Sequence, residues 1–122
     1  MTPGVKPLIA GNWKMHGTLA EAAALARAVG QGSAGLPAGL LVCPAFLHIA
    51  PVAALLAGSP VAVGGQDCHA AAKGAHTGDI AAPMLRDAGA THVILGHSER
   101  RTNHAETDAA VRAKAVAALA AG

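Results

Sequence analysis

The sequence contains no tyrosine, one phenylalanine and one tryptophan among its 122 residues. Proteins that bind single-stranded nucleic acids stack bases on aromatic side chains, and this chain has almost none to offer. Charged residues are also scarce, at 13%, and the formal net charge is only +2. Because the basic residues are scattered, no basic stripe is available to follow a phosphate backbone. We therefore expect no nucleic-acid partner.

Cysteine and long apolar segments are scarce too. Neither Cys43 nor Cys68 belongs to a CxxC motif or a Cys/His cluster, so we expect two buried free thiols in a reducing compartment. The apolar runs are broken by glycine and proline and are far shorter than a membrane span. No charged segment followed by a long apolar stretch opens the chain, so no signal peptide is indicated. These observations predict a soluble cytoplasmic protein without membrane association.

What the sequence does contain is a set of short apolar runs that alternate with alanine-rich segments. The runs are continuous rather than alternating, which is typical of strands buried on both faces of a parallel sheet. The order predicted is β-α-β-α-β-loop-α-β-α, an α/β fold with right-handed crossovers and no domain boundary. The predicted strands are 7–13, 40–44, 61–66 and 92–97.

Capping signals predict the ends of the helices. Thr18 and Glu21 form a capping-box pattern, and Gly30 is a typical helix stop. The other predicted helices are 46–58, broken near Pro51, 82–89, with Pro83 in its first turn, and the closing helix, capped by Asn103 and Glu106.

Polar residues follow each predicted strand, where ligands bind in parallel α/β folds. A lysine opposite an anion and a neutral imidazole donor suit stabilisation of an oxyanion on a small phosphorylated substrate. Spacing alone therefore indicates phosphate-ester or enolate chemistry. The strand-end residues are Asn12, Lys14, Cys43, Gln66, Asp67, His97, Ser98 and Glu99.

The segment "ILGHSERR" could also suggest a Ser–His hydrolase pair or a metal site, but the sequence argues against both. Adjacent residues of an extended segment point to opposite sides, and no GxSxG motif is present, so His97 and Ser98 are not expected to form a hydrolase pair. The seven histidines show no metal-ligand spacing, so no metal site is predicted. Arg100 and Arg101 are expected to make structural ion pairs, while Glu99 is open to either a structural or a functional role.

Two motifs carry a family resemblance: "AGNWKMHGT" at 10–18 and "VILGHSERR" at 93–101. With them, the chain resembles the triosephosphate isomerase family over essentially its whole length. The resemblance implies a (β/α)8 barrel that interconverts dihydroxyacetone phosphate and glyceraldehyde 3-phosphate by proton transfer, with no cofactor and no metal. Residues 1–122 would be the N-terminal half of that single domain, its first four βα units.

The resemblance also implies roles for individual residues. Lys14 would offset phosphate and enediolate charge and, with Asn12, bind the substrate. His97 would be the neutral imidazole that donates to the substrate oxygens, an established case of pKa tuning in this family. Ser98 would hold the resting catalytic base, and Glu99 would contact Lys14.

The segment 66–81 is a long polar loop, and loops of this length in compact domains are usually functional. The resemblance implies that it inserts into a second subunit of a homodimer and that Thr77 reaches the partner's active site. His76 stands where an aromatic residue is common in the family. The residues assigned to the interface are Gln66, His76, Thr77 and Gly78, and Arg100 is assigned a structural role.

The sequence also lacks much of what such a barrel needs. A (β/α)8 barrel typically has about 250 residues, and the family's general-base glutamate, lid and phosphate loops have no counterpart here. A half barrel would leave two sheet edges unpaired. We therefore expect a chain that needs the C-terminal half barrel and is inactive alone. The alternative is a non-catalytic half barrel that self-associates.

Overall fold

A computed structural model describes residues 2–122. Within this range the chain forms four strands, five α-helices and one 3-10 turn. In chain order the elements are β1 (Leu8–Asn12), α1 (Leu19–Gln31), β2 (Gly39–Cys43), the 3-10 turn (Phe46–His48), α2 (Ile49–Leu56), β3 (Val61–Gly65), α3 (Ala82–Asp87), β4 (His92–Val93), α4 (Ser98–His104) and α5 (Asp108–Ala120).

The strands form one sheet in the order β1-β2-β3-β4, and every neighbouring pair is parallel. Each strand therefore pairs with the next one along the chain, as successive βα units require. The predicted α/β class is confirmed. All carboxyl ends of the strands lie at one edge of the sheet, where the polar strand-end residues gather.

The core lies between the sheet and the helices. Val42 on β2 and Val63 on β3 are paired neighbours that pack with the buried side chains of α2. Helix α1 contributes Ala22 and Ala26, both buried. Small side chains on this face let α1 lie close to the sheet and α2. An alanine-rich helix can therefore cover the core without leaving cavities.

The capping signals predict the start of α1 but not its end. The Oγ1 atom of Thr18 accepts a hydrogen bond from the backbone N–H of Glu21 at 3.2 Å, so the predicted cap is confirmed. The stop at Gly30 is wrong, because the helix continues to Gln31 and is capped at Gly32. The helix predicted over 46–58 is interrupted near Pro51, as expected. A 3-10 turn ends at His48, and α2 starts at Ile49 with Pro51 in its first turn.

Two predictions near the end of the chain are wrong. The fourth strand has only two residues, because Gly96 turns the backbone with φ +64° and α4 starts at Ser98. Asn103 lies inside that helix and does not cap the next one. The cap of α5 is Thr107, whose side chain accepts from the N–H of Ala110 at 3.1 Å.

Both outer edges of the sheet are open within residues 2–122. On β1, Leu8 is 49% and Ile9 60% exposed, large fractions for apolar strand residues. Beside β4, an apolar hollow of about 530 Å³ is lined by side chains of α3, β4 and α5. None of the described helices is long and apolar enough to cross a membrane.

Candidate active site

Lys14 follows β1 and has an unusual backbone. Its φ is +55°, the left-handed region that non-glycine residues avoid. The Oδ1 atom of Asn12 accepts from the N–H of Lys14 at 3.0 Å, and Nε2 of Gln66 donates to its carbonyl oxygen at 2.9 Å. Such a conformation costs roughly 1–3 kcal/mol and persists only when its surroundings fix it. Two side-chain amides therefore hold the residue that carries the lysine.

Gln66 also ties three strands together. The same Nε2 donates to the carbonyl oxygen of Cys43 at 2.8 Å, and that oxygen accepts from the N–H of Trp13 at 3.0 Å. The amide thus joins the carboxyl ends of β1, β2 and β3. Its assignment to a subunit interface stays a prediction, and within this chain its amide supports Lys14.

The side chain of Lys14 pairs with Glu99. The distance from Nζ to Oε1 is 2.6 Å, and both side chains are 49% exposed. The hydrogen bond from Lys14 lowers the pKa of Glu99, so the carboxylate is charged at neutral pH. Because the pair is open to solvent, its charges are accessible to a small anion rather than locked in the core.

His97 lies at the N-terminus of α4. Its Nδ1 accepts from the backbone N–H of Glu99 at 3.1 Å and lies 3.5 Å from Oε2 of the same residue. An acceptor nitrogen carries no proton, so the proton of the neutral ring is on Nε2. Glu99 therefore contacts both Lys14 and His97. The contact uses Nδ1 of the imidazole, so the Nε2–H donor does not take part in it.

Ser98 is the first residue of α4 and is exposed. In the part of the chain that the structure describes, no hydrogen bond joins its hydroxyl to the ring of His97, whose Nδ1 is already engaged. The pair is therefore not arranged as a nucleophile and its base.

The loop 66–81 exposes His76, Thr77 and Gly78. Gly78 has φ +89°, consistent with a tight turn that needs glycine. Within residues 2–122, no hydrogen bond connects Thr77 to the strand-end residues. Its role at an interface stays a prediction.

Behind the strand ends lies a cluster of two carboxylates and two cations, in which Arg100 makes the ion pairs expected of it with partners that the sequence did not reveal. Nζ of Lys114 is 2.9 Å from Oδ1 of Asp67 and 2.7 Å from Oε2 of Glu106. Nη2 of Arg100 is 3.1 Å from Asp67, and its Nε is 2.5 Å from Glu106. Asp67 and Glu106 are almost fully buried, at 9% and 6% side-chain exposure. Arg100 thus connects the start of α4 to the end of β3.

The cluster predicts an acid-dependent loss of stability. Burial by itself would raise the pKa of Glu106, but hydrogen bonds from Lys114 and Arg100 outweigh it, and the pKa lies below the ordinary 4.5. A depressed carboxyl pKa contributes stability above that ordinary value, which is lost as the pH falls through the folded pKa. We expect the free energy of unfolding in urea to fall from about pH 5 to pH 3. Glu106→Gln should weaken this fall, and the exposed Glu21→Gln should not.

The cysteines are free and buried, as the sequence predicts. Burial raises the pKa of Cys43 to about 11, so this thiol is not a reactive nucleophile at neutral pH. Among residues 2–122, no group of three His, Cys, Asp or Glu side chains is arranged to hold a metal ion.

Comparison with known proteins places the chain in a family. The family model described as triosephosphate isomerase matches residues 7–122. The chain belongs to the triosephosphate isomerase family. It is 61% identical to the triosephosphate isomerase of Afipia carboxidovorans, over 98% of this chain and 49% of that protein. With the enzyme of Xanthobacter flavus it shares 58% identity, over 100% of this chain and 49% of that protein.

A solved structure agrees with this assignment. The crystal structure of triosephosphate isomerase from Bartonella henselae superposes with a TM-score of 0.91 at 46% identity, covering 97% of this chain and 49% of that one. The predicted half barrel, the first four βα units of a TIM barrel, is confirmed. The chain spans about half the length of the triosephosphate isomerases it matches.

Proposed function

We propose that this chain supplies the N-terminal half of a triosephosphate isomerase, which interconverts dihydroxyacetone phosphate and D-glyceraldehyde 3-phosphate. The observation that carries the proposal is the contact of Glu99 with both Lys14 and His97 at the carboxyl edge of the sheet. Residues 1–122 would form one half of a single domain. The reaction moves protons and transfers no hydride to or from an outside group, so no redox cofactor is required, and the family resemblance implies no metal.

In the proposed mechanism, the residues of this chain stabilise the enediolate. Lys14 places a cation beside the substrate's phosphate and developing oxyanion, and Asn12 fixes the lysine's backbone for that task. Nε2–H of His97 donates its proton to one substrate oxygen, and Nε2 then takes a proton back from the other oxygen, so the imidazole ends as it began. Ser98 holds the general base, a glutamate that the family resemblance assigns to the half of the enzyme beyond these four units.

The two open edges of the sheet support the need for further βα units. Ile9 on one edge and the apolar hollow beside β4 on the other would be covered by neighbouring strands and helices. The same edges favour the second candidate, a half barrel that self-associates without catalysis. We further propose a homodimer formed through the 66–81 loop and a cytoplasmic location, which two free thiols favour.

The test compares the chain alone with a chimera. The chimera joins the chain to the part of the Bartonella henselae enzyme that it does not cover. We expect no isomerase turnover above background from the chain, and a turnover at least about 10³-fold higher from the chimera, because the closed barrel completes the site. Robust turnover by the chain alone, or a folded chimera without activity, would contradict the proposal. Sedimentation of the chain shows whether it self-associates.

A further inference from the structure

The turn between β4 and α4 carries His97 and is packed tightly against α5. Gly96, the residue before the histidine, has φ +64°, and a Cβ built on it would lie 2.9 Å from both methyl groups of Val111. The backbone of Gly96 therefore lies directly on α5. A small shift of this turn would displace the imidazole that the proposed mechanism places beside the substrate oxygens.

Arg101 binds the backbone on both sides of His97. The carbonyl oxygen of Gly96 belongs to the peptide bond that leads into the histidine, and Nε of Arg101 donates to it at 3.1 Å. The carbonyl oxygen of His97 itself accepts from the backbone N–H groups of Arg100, at 2.9 Å, and Arg101, at 3.1 Å. The last two bonds belong to the first turn of α4, whereas the bond from the arginine side chain is additional to the helix.

The guanidinium of Arg101 is held in turn by α5. Its Nη1 lies 2.6 Å from Oδ1 of Asp108, the first residue of that helix. Asp108 is 95% exposed, and an ion pair so open to solvent contributes little to stability. The pair instead fixes a direction. Because the guanidinium is planar and rigid, a carboxylate on one nitrogen helps to aim another nitrogen at the carbonyl of Gly96.

The two consecutive arginines of α4 make different contacts. Arg100 reaches the buried carboxylates of the ion-pair cluster, whereas Arg101 is 41% exposed and reaches back over the turn. The ion pair expected of Arg101 from the sequence is present. A role in that pair alone does not account for the bond from Nε to the carbonyl directly before His97.

We propose that Arg101 is a positioning residue for His97. Its guanidinium, fixed by Asp108, holds the peptide that leads into the histidine, so that Nε2–H faces the substrate oxygens. The inference rests on the proposed function, because it assigns Arg101 to the reaction of that site. With the peptide held, Nδ1 of the ring accepts from the N–H of Glu99 and the proton stays on Nε2. Without Arg101 the turn is free to rotate, the contact at Nδ1 loosens and the proton is shared between the two nitrogens.

Steady-state kinetics of the chimera test the effect on catalysis. Arg101→Met removes the donor and keeps an apolar stem. We expect kcat to fall about 10–10²-fold while KM stays within about threefold, because a misplaced group that acts in the transition state costs rate rather than substrate binding. Arg101→Lys keeps the charge but has one nitrogen instead of a rigid fork, so it should recover only part of kcat.

The matched control is Arg27→Met, which removes an exposed arginine from α1 and should leave both constants as in the parent. An unchanged kcat in Arg101→Met would overturn the proposal. Full recovery in Arg101→Lys would do so as well, since the charge alone would then be sufficient.

A second measurement does not depend on turnover. Nitrogen-15 NMR of the chimera with labelled histidine reports the tautomer of His97, whose signal is assigned with His97→Gln. We expect the proton on Nε2 in the parent and a mixture of both tautomers in Arg101→Met. In the same spectrum, the signal of the buried His48 reports that the variant is folded.

The two measurements separate this inference from the proposed function. An unchanged tautomer of His97 in Arg101→Met would refute the positioning role even if kcat fell. A folded parent chimera without activity would contradict the proposed function, and the tautomer comparison would still decide whether Arg101 orients the ring.

Discussion

Lys14→Met is expected to lower kcat/KM of the chimeric isomerase by about 10²–10³-fold, the loss typical of removing one group that stabilises transition-state charge. The methionine retains the length and apolar stem of the side chain, so the change removes chiefly the cation. Lys14 is positioned at the strand ends by Asn12 and Gln66, and its charge is presented on an accessible rim beside Glu99. The measurement is steady-state kinetics in both reaction directions.

The matched control for this prediction is Lys6→Met. Lys6 is exposed and precedes β1, so its loss changes net charge equally without touching the site. We expect activity within about twofold of the parent. His97→Gln should cost a similar 10²–10³-fold or somewhat more, because an amide can donate but cannot shuttle a proton. Near-normal rates in Lys14→Met would show that this lysine is not the cation of the active site.

Lys114→Met is expected to destabilise the folded protein by about 3–5 kcal/mol. Lys114 pairs with both Asp67 and Glu106, and its side chain is only 13% exposed. Without it, two buried carboxylates would share Arg100 alone, and an uncompensated buried charge is costly. Urea unfolding of the chimera at neutral pH measures the effect, since the closed barrel protects the sheet edges from association.

Two further variants make this second prediction specific. Arg112→Met removes an exposed cation from the same helix and should change the free energy of unfolding by less than about 0.5 kcal/mol. Lys114→Arg keeps the charge and should recover part of the loss. If Lys114→Met were no less stable than Arg112→Met, the cluster would be a solvent-screened surface feature rather than a buried support.

The sheet could be predicted from the sequence because its strands are continuous apolar runs of Val, Leu and Ile separated by helical segments. The strand-end rule then predicts that Lys14, Gln66, His97 and Glu99 gather at one edge, and the contacts among them in the structure agree. The start of α1 followed from Thr18, since an N-cap is a local signal.

Helix α4 was missed because it has no such signal. Its seven residues, Ser98–His104, are polar, contain no apolar periodicity and bury no side chain. Ion pairs from its arginines to Glu106 and Asp108 support it instead. The buried cluster was missed for a related reason: Lys114 and Asp67 lie 47 residues apart, and no pattern along the sequence couples them.

The open edge at β1 has a consequence for the timing of synthesis. In the complete enzyme proposed above, an equal length of chain follows these four units, and ribosomes add roughly 5–20 residues per second. Until the second half is synthesised, on the order of ten seconds later, Leu8 and Ile9 of the half sheet would remain exposed to solvent. During that interval two nascent chains on one messenger could pair edge to edge. The spacing of ribosomes and the presence of chaperones would thus influence the yield of this protein independently of its final stability.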